Sequence, residues 1–256
     1  MNYKEKNKEV WDQFVKEDYV WTKPVSKEEV EKAKKGDWSI VLTPKEKVPR
    51  TWFPSDMQGV DILCLASGGG QQGPILAATK ANVTVLDYNE NQLEQDRMVA
   101  KRDGLMIQTV QGDMCNLHMF EDASFDLIVH PWSNGFVEKV QEVWDEAYRV
   151  LKPGGELLSG FGNPVEYIFD LEKMNKGQLE VRHSIPYSDL TSLTEEERQR
   201  LIYDQNEPIC FGHSLEDQIG GQIKAGFAII GFYEDVNGGP LDPYIKTAIA
   251  TRAKKM

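Results

Sequence analysis

At 256 residues, 40% hydrophobic and 27% charged, the chain is long enough for a sizeable core and carries neither the bias of a disordered protein nor that of a membrane-embedded one. A formal net charge of -12 argues against nucleic acid as a partner, because gripping a phosphate backbone calls for a basic footprint. Three scattered cysteines, Cys64, Cys115 and Cys210, argue against a disulfide framework or zinc site and point to a reducing cytoplasm.

Residues 1–58 read as a helical extension. Its lysine-rich start lacks an apolar segment, so no secretory signal is expected, and no run in the chain approaches the ~20 apolar residues of a membrane span. Val10, Trp11, Phe14 and Val15 recur at helical spacing, and Ser26 with Glu29 stand in capping-box register before a second, polar helix. Trp11, Tyr19, Trp21, Trp38, Trp52 and Phe53 make the extension aromatic. Most are expected to pack it onto the main body, and one or two to close over a site.

From Gly59 the pattern alternates. Strands are predicted at 61–66, 82–87, 106–113, 125–130 and 156–161, with helices at 72–80, 90–102 and 137–151 between them. That rhythm means βαβ units and a parallel sheet. Residues 163–213 are polar, punctuated by Pro164, Pro186 and Pro208, with one capped helical segment over 194–205. A connection so long is expected to cap an active site. A helix at 214–226 and two apolar runs, 227–235 and 244–252, follow as antiparallel neighbours.

The chemistry starts at "DILCLASGGGQQGPILA", Asp61–Ala77, where a strand ends in glycines that open a helix. Gly68, Gly70 and Gly73 satisfy G-x-G-x-x-G in the required strand-to-helix setting, which lets backbone approach a ligand closely. Asp87 ends the next strand, placed to accept both hydroxyls of a ribose. A nicotinamide dinucleotide and S-adenosylmethionine both carry such a ribose, so the loop alone leaves the cofactor open. His130 ends a buried strand at the edge of the sheet where α/β folds bind ligands, and is a candidate general base toward a hydroxyl acceptor. His183 and His213 bracket the cap and, with Tyr187 and Trp132, are candidate substrate contacts; no histidine or carboxylate pair has metal spacing.

The succession of "GD" after the third strand (Gly112–Asp113), "FDLIVH", "RVLKPGG" (Arg149–Gly155) and a terminal strand–hairpin–strand resembles the class I S-adenosylmethionine-dependent methyltransferases over residues 59–161 and 214–252. The resemblance implies a doubly wound, Rossmann-like α/β sheet of seven mostly parallel strands with the last antiparallel, here with an N-terminal helical extension (1–58) and a cap insertion (163–213) on a domain spanning 59–256. It implies S-adenosylmethionine as cofactor, with Ala66, Ser67, Gly68 and Gly70 facing its methionine part. Asp87 and Tyr88 would meet its ribose and adenine, Gly112, Asp113 and Met114 its adenine, and His130, Pro131 and Trp132 the reacting centre. The implied activity is in-line methyl transfer to a small molecule. A nicotinamide-dependent oxidoreductase and a non-catalytic cofactor-binding protein are the alternatives. Two departures stand out: Cys64 and Ala66 replace the family's usual acid and glycine, and "HPWS" (His130–Ser133) is not the Asn/Asp-Pro-Pro-aromatic run of amide and base methylation.

Overall fold

The computed structural model describes residues 2–256. Seven strands form one sheet: β1 (Asp61–Leu65), β2 (Asn82–Asp87), β3 (Ile107–Gln111), β4 (Phe125–His130), β5 (Leu151–Gly162), β6 (Phe227–Asp235) and β7 (Ala248–Lys255). Their order is β3-β2-β1-β4-β5-β7-β6, with β1 to β5 parallel and β7 antiparallel to both its neighbours.

Strand periodicity builds the two core layers. Ile62 and Cys64 of β1 point into one layer with helices α2 (Lys27–Lys34), α3 (Gln72–Ala78) and α4 (Glu90–Asp103); Leu63 and Leu65 point into the other with α5 (Val140–Val150). Helix α5 buries Val140, Val143, Trp144, Ala147 and Val150, one stripe at helical spacing. Fully buried Trp144 donates its indole N–H to the Asp217 carbonyl at 3.0 Å. It lies flush on α6 (Gly221–Ala225), where a Cβ on Gly221 would come within 2.7 Å of the indole.

Among the boundaries that differ from the sequence reading, three bear on the sheet and the cap. Leu151 already pairs with Phe125, Lys152–Gly155 loop out, and pairing resumes at Glu156 with Leu127, so β5 starts before its glycines. The last strand starts at Ala248 rather than 244, because β6 ends its pairing where Asp235 turns to accept the Lys45 and Glu46 amides, each at 2.8 Å. The helix predicted over 194–205 keeps its Thr194–Glu197 capping box but divides into Glu195–Arg198 and a π-helical turn, Gln199–Tyr203.

Helix α1 (Tyr3–Lys16) reaches the cap, whose small core is Leu193, Ile202, Ile209 and Phe211. Tyr3 packs edge-on to Phe211, and the Asn7 amide makes two hydrogen bonds to the backbone of Ile209, at 2.7 and 3.0 Å. Further along, the extension crosses the sheet so closely that a Cβ on Gly160 of β5 would sit 2.0 Å from the Leu42 carbonyl oxygen. Among the described residues no helix is long and apolar enough to cross a membrane.

Candidate active site

A cavity of about 360 Å³ opens at the carboxyl ends of β1 to β4, where the strand order reverses and α/β sheets bind ligands. Ala66, Ser67 and Gly68 after β1 form its floor; Asp87 and Tyr88 after β2 and Gly112, Asp113 and Met114 after β3 form one wall; Pro131, Trp132 and Phe136 beyond β4 form another. The extension supplies a roof of Trp11, Phe14, Tyr19 and Trp21, and the cap contributes Glu207, Pro208 and Cys210.

The glycine loop holds its own N–H groups. Gly68 donates to Asp87 Oδ2 at 3.0 Å, Gly69 to the Gln92 carbonyl at 3.0 Å, and Gly70 to Asp96 Oδ2 at 3.1 Å. A loop that cradles a pyrophosphate leaves such donors free for the anion; this loop has turned three in a row inward. Asp87 accepts a second bond from the Asn89 amide at 2.9 Å, and burial pushes its carboxyl up. Gln92 lines the cavity and carries a buried side-chain oxygen with no partner among the described residues. A Cβ on Gly68 would come within 2.7 Å of Gln92 and 3.0 Å of the Asp87 carboxylate, so glycine there sets how closely the loop approaches them. A carboxylate beside inward-turned amides fits an uncharged ribose, a polar part of S-adenosylmethionine, better than a pyrophosphate.

The chain is 56% identical over 250 residues, 98% of its length and 97% of the relative's, to an uncharacterized methyltransferase, YbaJ, of Bacillus subtilis. It belongs to the class I S-adenosylmethionine-dependent methyltransferases. Residues 63–159 match the family described as a methyltransferase domain. A demethylmenaquinone methyltransferase of Clavibacter sepedonicus is 34% identical over 112 residues, 44% of this chain and 45% of that one. In fold, the chain is similar to an S-adenosylmethionine-dependent methyltransferase of Mesorhizobium loti, at a TM-score of 0.60 and 18% identity, covering 80% of this chain and 94% of that one. The cofactor is S-adenosylmethionine, and the nicotinamide alternative falls.

Ten of the residues expected at the methyltransferase's site line the cavity: Ala66, Ser67, Gly68, Asp87, Tyr88, Gly112, Asp113, Met114, Pro131 and Trp132. Asp113 does so with both oxygens engaged, Oδ1 by the Cys115 amide at 2.9 Å and Oδ2 by Lys4 Nζ at 2.5 Å. The remaining expectations need correction. Gly70 turns away, its amide on Asp96 and its carbonyl on the Val25 amide at 2.9 Å. His130 is 0% exposed, with Nδ1 at 2.9 Å from the Leu65 carbonyl and Nε2 at 2.7 Å from the Asn134 side chain. Burial lowers its pKa. It reaches no acceptor in the cavity, so the general-base expectation is not met.

His183 and Tyr187 pack edge-to-face in the cap, away from the cavity, with the Tyr187 hydroxyl donating to Asp189 at 2.8 Å. His213 lines a separate cavity of about 100 Å³ behind Trp132, its Nε2 donating to the Val137 carbonyl at 2.8 Å. Sequence reasoning missed Lys4, Asn7, Phe14, Gln92 and Asp96. For the last two a signal existed: they stand four apart on α4, one polar pair on the face that also buries Leu93 and Val99.

Proposed function

We propose that this methyltransferase acts on a small molecule with an apolar or aromatic body, by direct in-line transfer. The carrying observation is the shape and lining of the cavity: about 360 Å³, floored by the glycine loop and roofed by Trp11, Phe14, Tyr19 and Trp21, which suits a small ligand rather than a strand of nucleic acid or protein. The cofactor, when bound, supplies a methyl group already activated on a sulfonium.

What remains for the chain is to bind, align and keep water out. In this reading Asp87 accepts from the ribose hydroxyls and the Ala66–Gly68 backbone meets the methionine part, which their place on the cavity lining supports. The roof aromatics present faces that favour a cation. Holding acceptor and methyl donor in line supplies ~7–11 kcal/mol of barrier reduction without a covalent nucleophile. With His130 withdrawn, Glu207 is the acidic side chain that the cap brings to the cavity wall, and burial pushes its carboxyl above the ordinary value.

Methyl-labelled S-adenosylmethionine incubated with the protein and fractionated metabolites, nucleic acid and protein tests the reading. Label is expected in an apolar low-mass fraction. Label in the nucleic acid or protein fraction would overturn it.

A further inference from the structure

We propose that Asp96, on α4 behind the cofactor loop and outside the cavity, is the positioning residue that sets the loop's geometry for S-adenosylmethionine. Asp96 is 0% exposed, and its Oδ2 accepts the Gly70 amide at 3.1 Å. Its Oδ1 is buried without a partner among the described residues. The neighbourhood is shaped around this carboxyl: a Cβ on Gly73 would come within 3.0 Å of Oδ1 and 2.7 Å of Val85, so glycine at that position keeps its place open.

The geometry explains why the carboxyl matters to the ligand. Gly68 is held by Asp87 and Gly69 by the Gln92 carbonyl. Asp96 fastens the third amide in the row, one turn along α4 from Gln92. On the other side the Gly70 carbonyl accepts from Val25, and Gln71 donates to the Val20 and Lys23 carbonyls, each at 3.0 Å, tying the loop to the roof. Release of Gly70 frees the segment that spaces Ser67 and Gly68 from Asp87. A buried polar group left half-satisfied is costly, and its presence behind the loop calls for a reason.

The charged and titratable groups around Asp96 are few. Asp87 on β2 repels it, Cys64 on β1 has a thiol pushed up by burial and by Asp96 itself, and Arg97 on α4 offers weak attraction while bonded to Glu90 and Glu94. Burial pushes the Asp96 carboxyl up to about 8. The anion is the stronger acceptor for Gly70 N–H, so loop and cofactor affinity tighten as it ionises.

The inference rests on the proposed cofactor site, and S-adenosylhomocysteine binding separates the two. By calorimetry, wild-type affinity is expected to rise roughly three- to tenfold between about pH 6.5 and 8.5, following the gain of a charge-assisted bond. D96N, which keeps an acceptor but cannot ionise, should match wild type within about twofold at the lower pH and stay flat. D96L, with no acceptor, should lose roughly tenfold or more at both, with faster hydrogen exchange at Gly70 while the sheet amides keep their protection. Equal affinities and one shared pH profile across wild type, D96N and D96L would overturn the positioning role alone. Failure of wild type to bind at all would overturn the cofactor site, and this inference with it.

Discussion

Ala66 holds φ at +47°, a left-handed conformation natural to glycine, in the turn where Ser133 donates to its carbonyl at 2.7 Å. The methyl group strains the turn by ~1 kcal/mol. Ala66→Gly is therefore expected to stabilise the protein by only about 0.5 kcal/mol against urea, with the fold unchanged, because the freer unfolded chain offsets part of the relieved strain. Asp87 carries the opposite expectation for binding: Asp87→Ala should weaken S-adenosylhomocysteine binding by ~1–3 kcal/mol in calorimetry, because a charged acceptor disappears from the cavity wall. Unchanged affinity in a folded variant would remove the ribose assignment. Asp96 also makes a stability statement. Its carboxyl stands at about 8 in the fold against 3.8 as the ordinary value, so the folded state holds a proton that the unfolded chain releases. That contribution is fully present below about pH 4 and is lost as pH rises to about 8. Asp96→Asn should accordingly be more stable than wild type by roughly 1–3 kcal/mol at pH 8, an advantage that vanishes near pH 4 in chemical unfolding.

Helix α1 joins what the sequence separates. Lys4 pairs with Asp113 beside β3, and Asn7 bridges to Ile209 in the cap through two hydrogen bonds. Asn7→Ala leaves both Ile209 backbone groups unpaired, at a cost of ~1–3 kcal/mol in the docking of α1. Faster hydrogen exchange along α1, with weaker cofactor binding and a protected sheet, is the expected signature; uniform protection would mean the bridge is dispensable. The same helix shows where sequence reading stops. Ile62–Leu65, Val83–Leu86 and Leu127–Val129 were legible as buried strands because both faces are apolar; Asp87 was read from its register with the glycine loop and Asp113 from the family resemblance, and both line the cavity. Tyr3, Lys4 and Asn7 carry no local mark, since their partners lie far along the chain, Asp113 for Lys4 and Phe211 and Ile209 of the cap for Tyr3 and Asn7. His130 misled for a related reason: a polar residue at a strand end reads alike whether its ring turns to the cavity or inward to Leu65 and Asn134.

Across the whole molecule, glycine loop, extension and cap enclose one cavity, and the loop's carbonyl and glutamine are bonded to the roof above it. Segments drawn from three parts of the chain thus meet around one cavity. The extension also meets the sheet closely at Leu42 over Gly160, where an added methyl group would meet a backbone oxygen at 2.0 Å with no flexible side chain to give way. Gly160→Ala is expected to cost about 3 kcal/mol or more in urea unfolding. That single contact has a meaning for descent. Neither the path of residues 40–43 nor the glycine of β5 can drift alone, so lineages that keep this extension must inherit both. A chimera carrying the extension onto a sister sheet would fail wherever the recipient has a side chain at the position matching Gly160, however similar the rest of the two proteins.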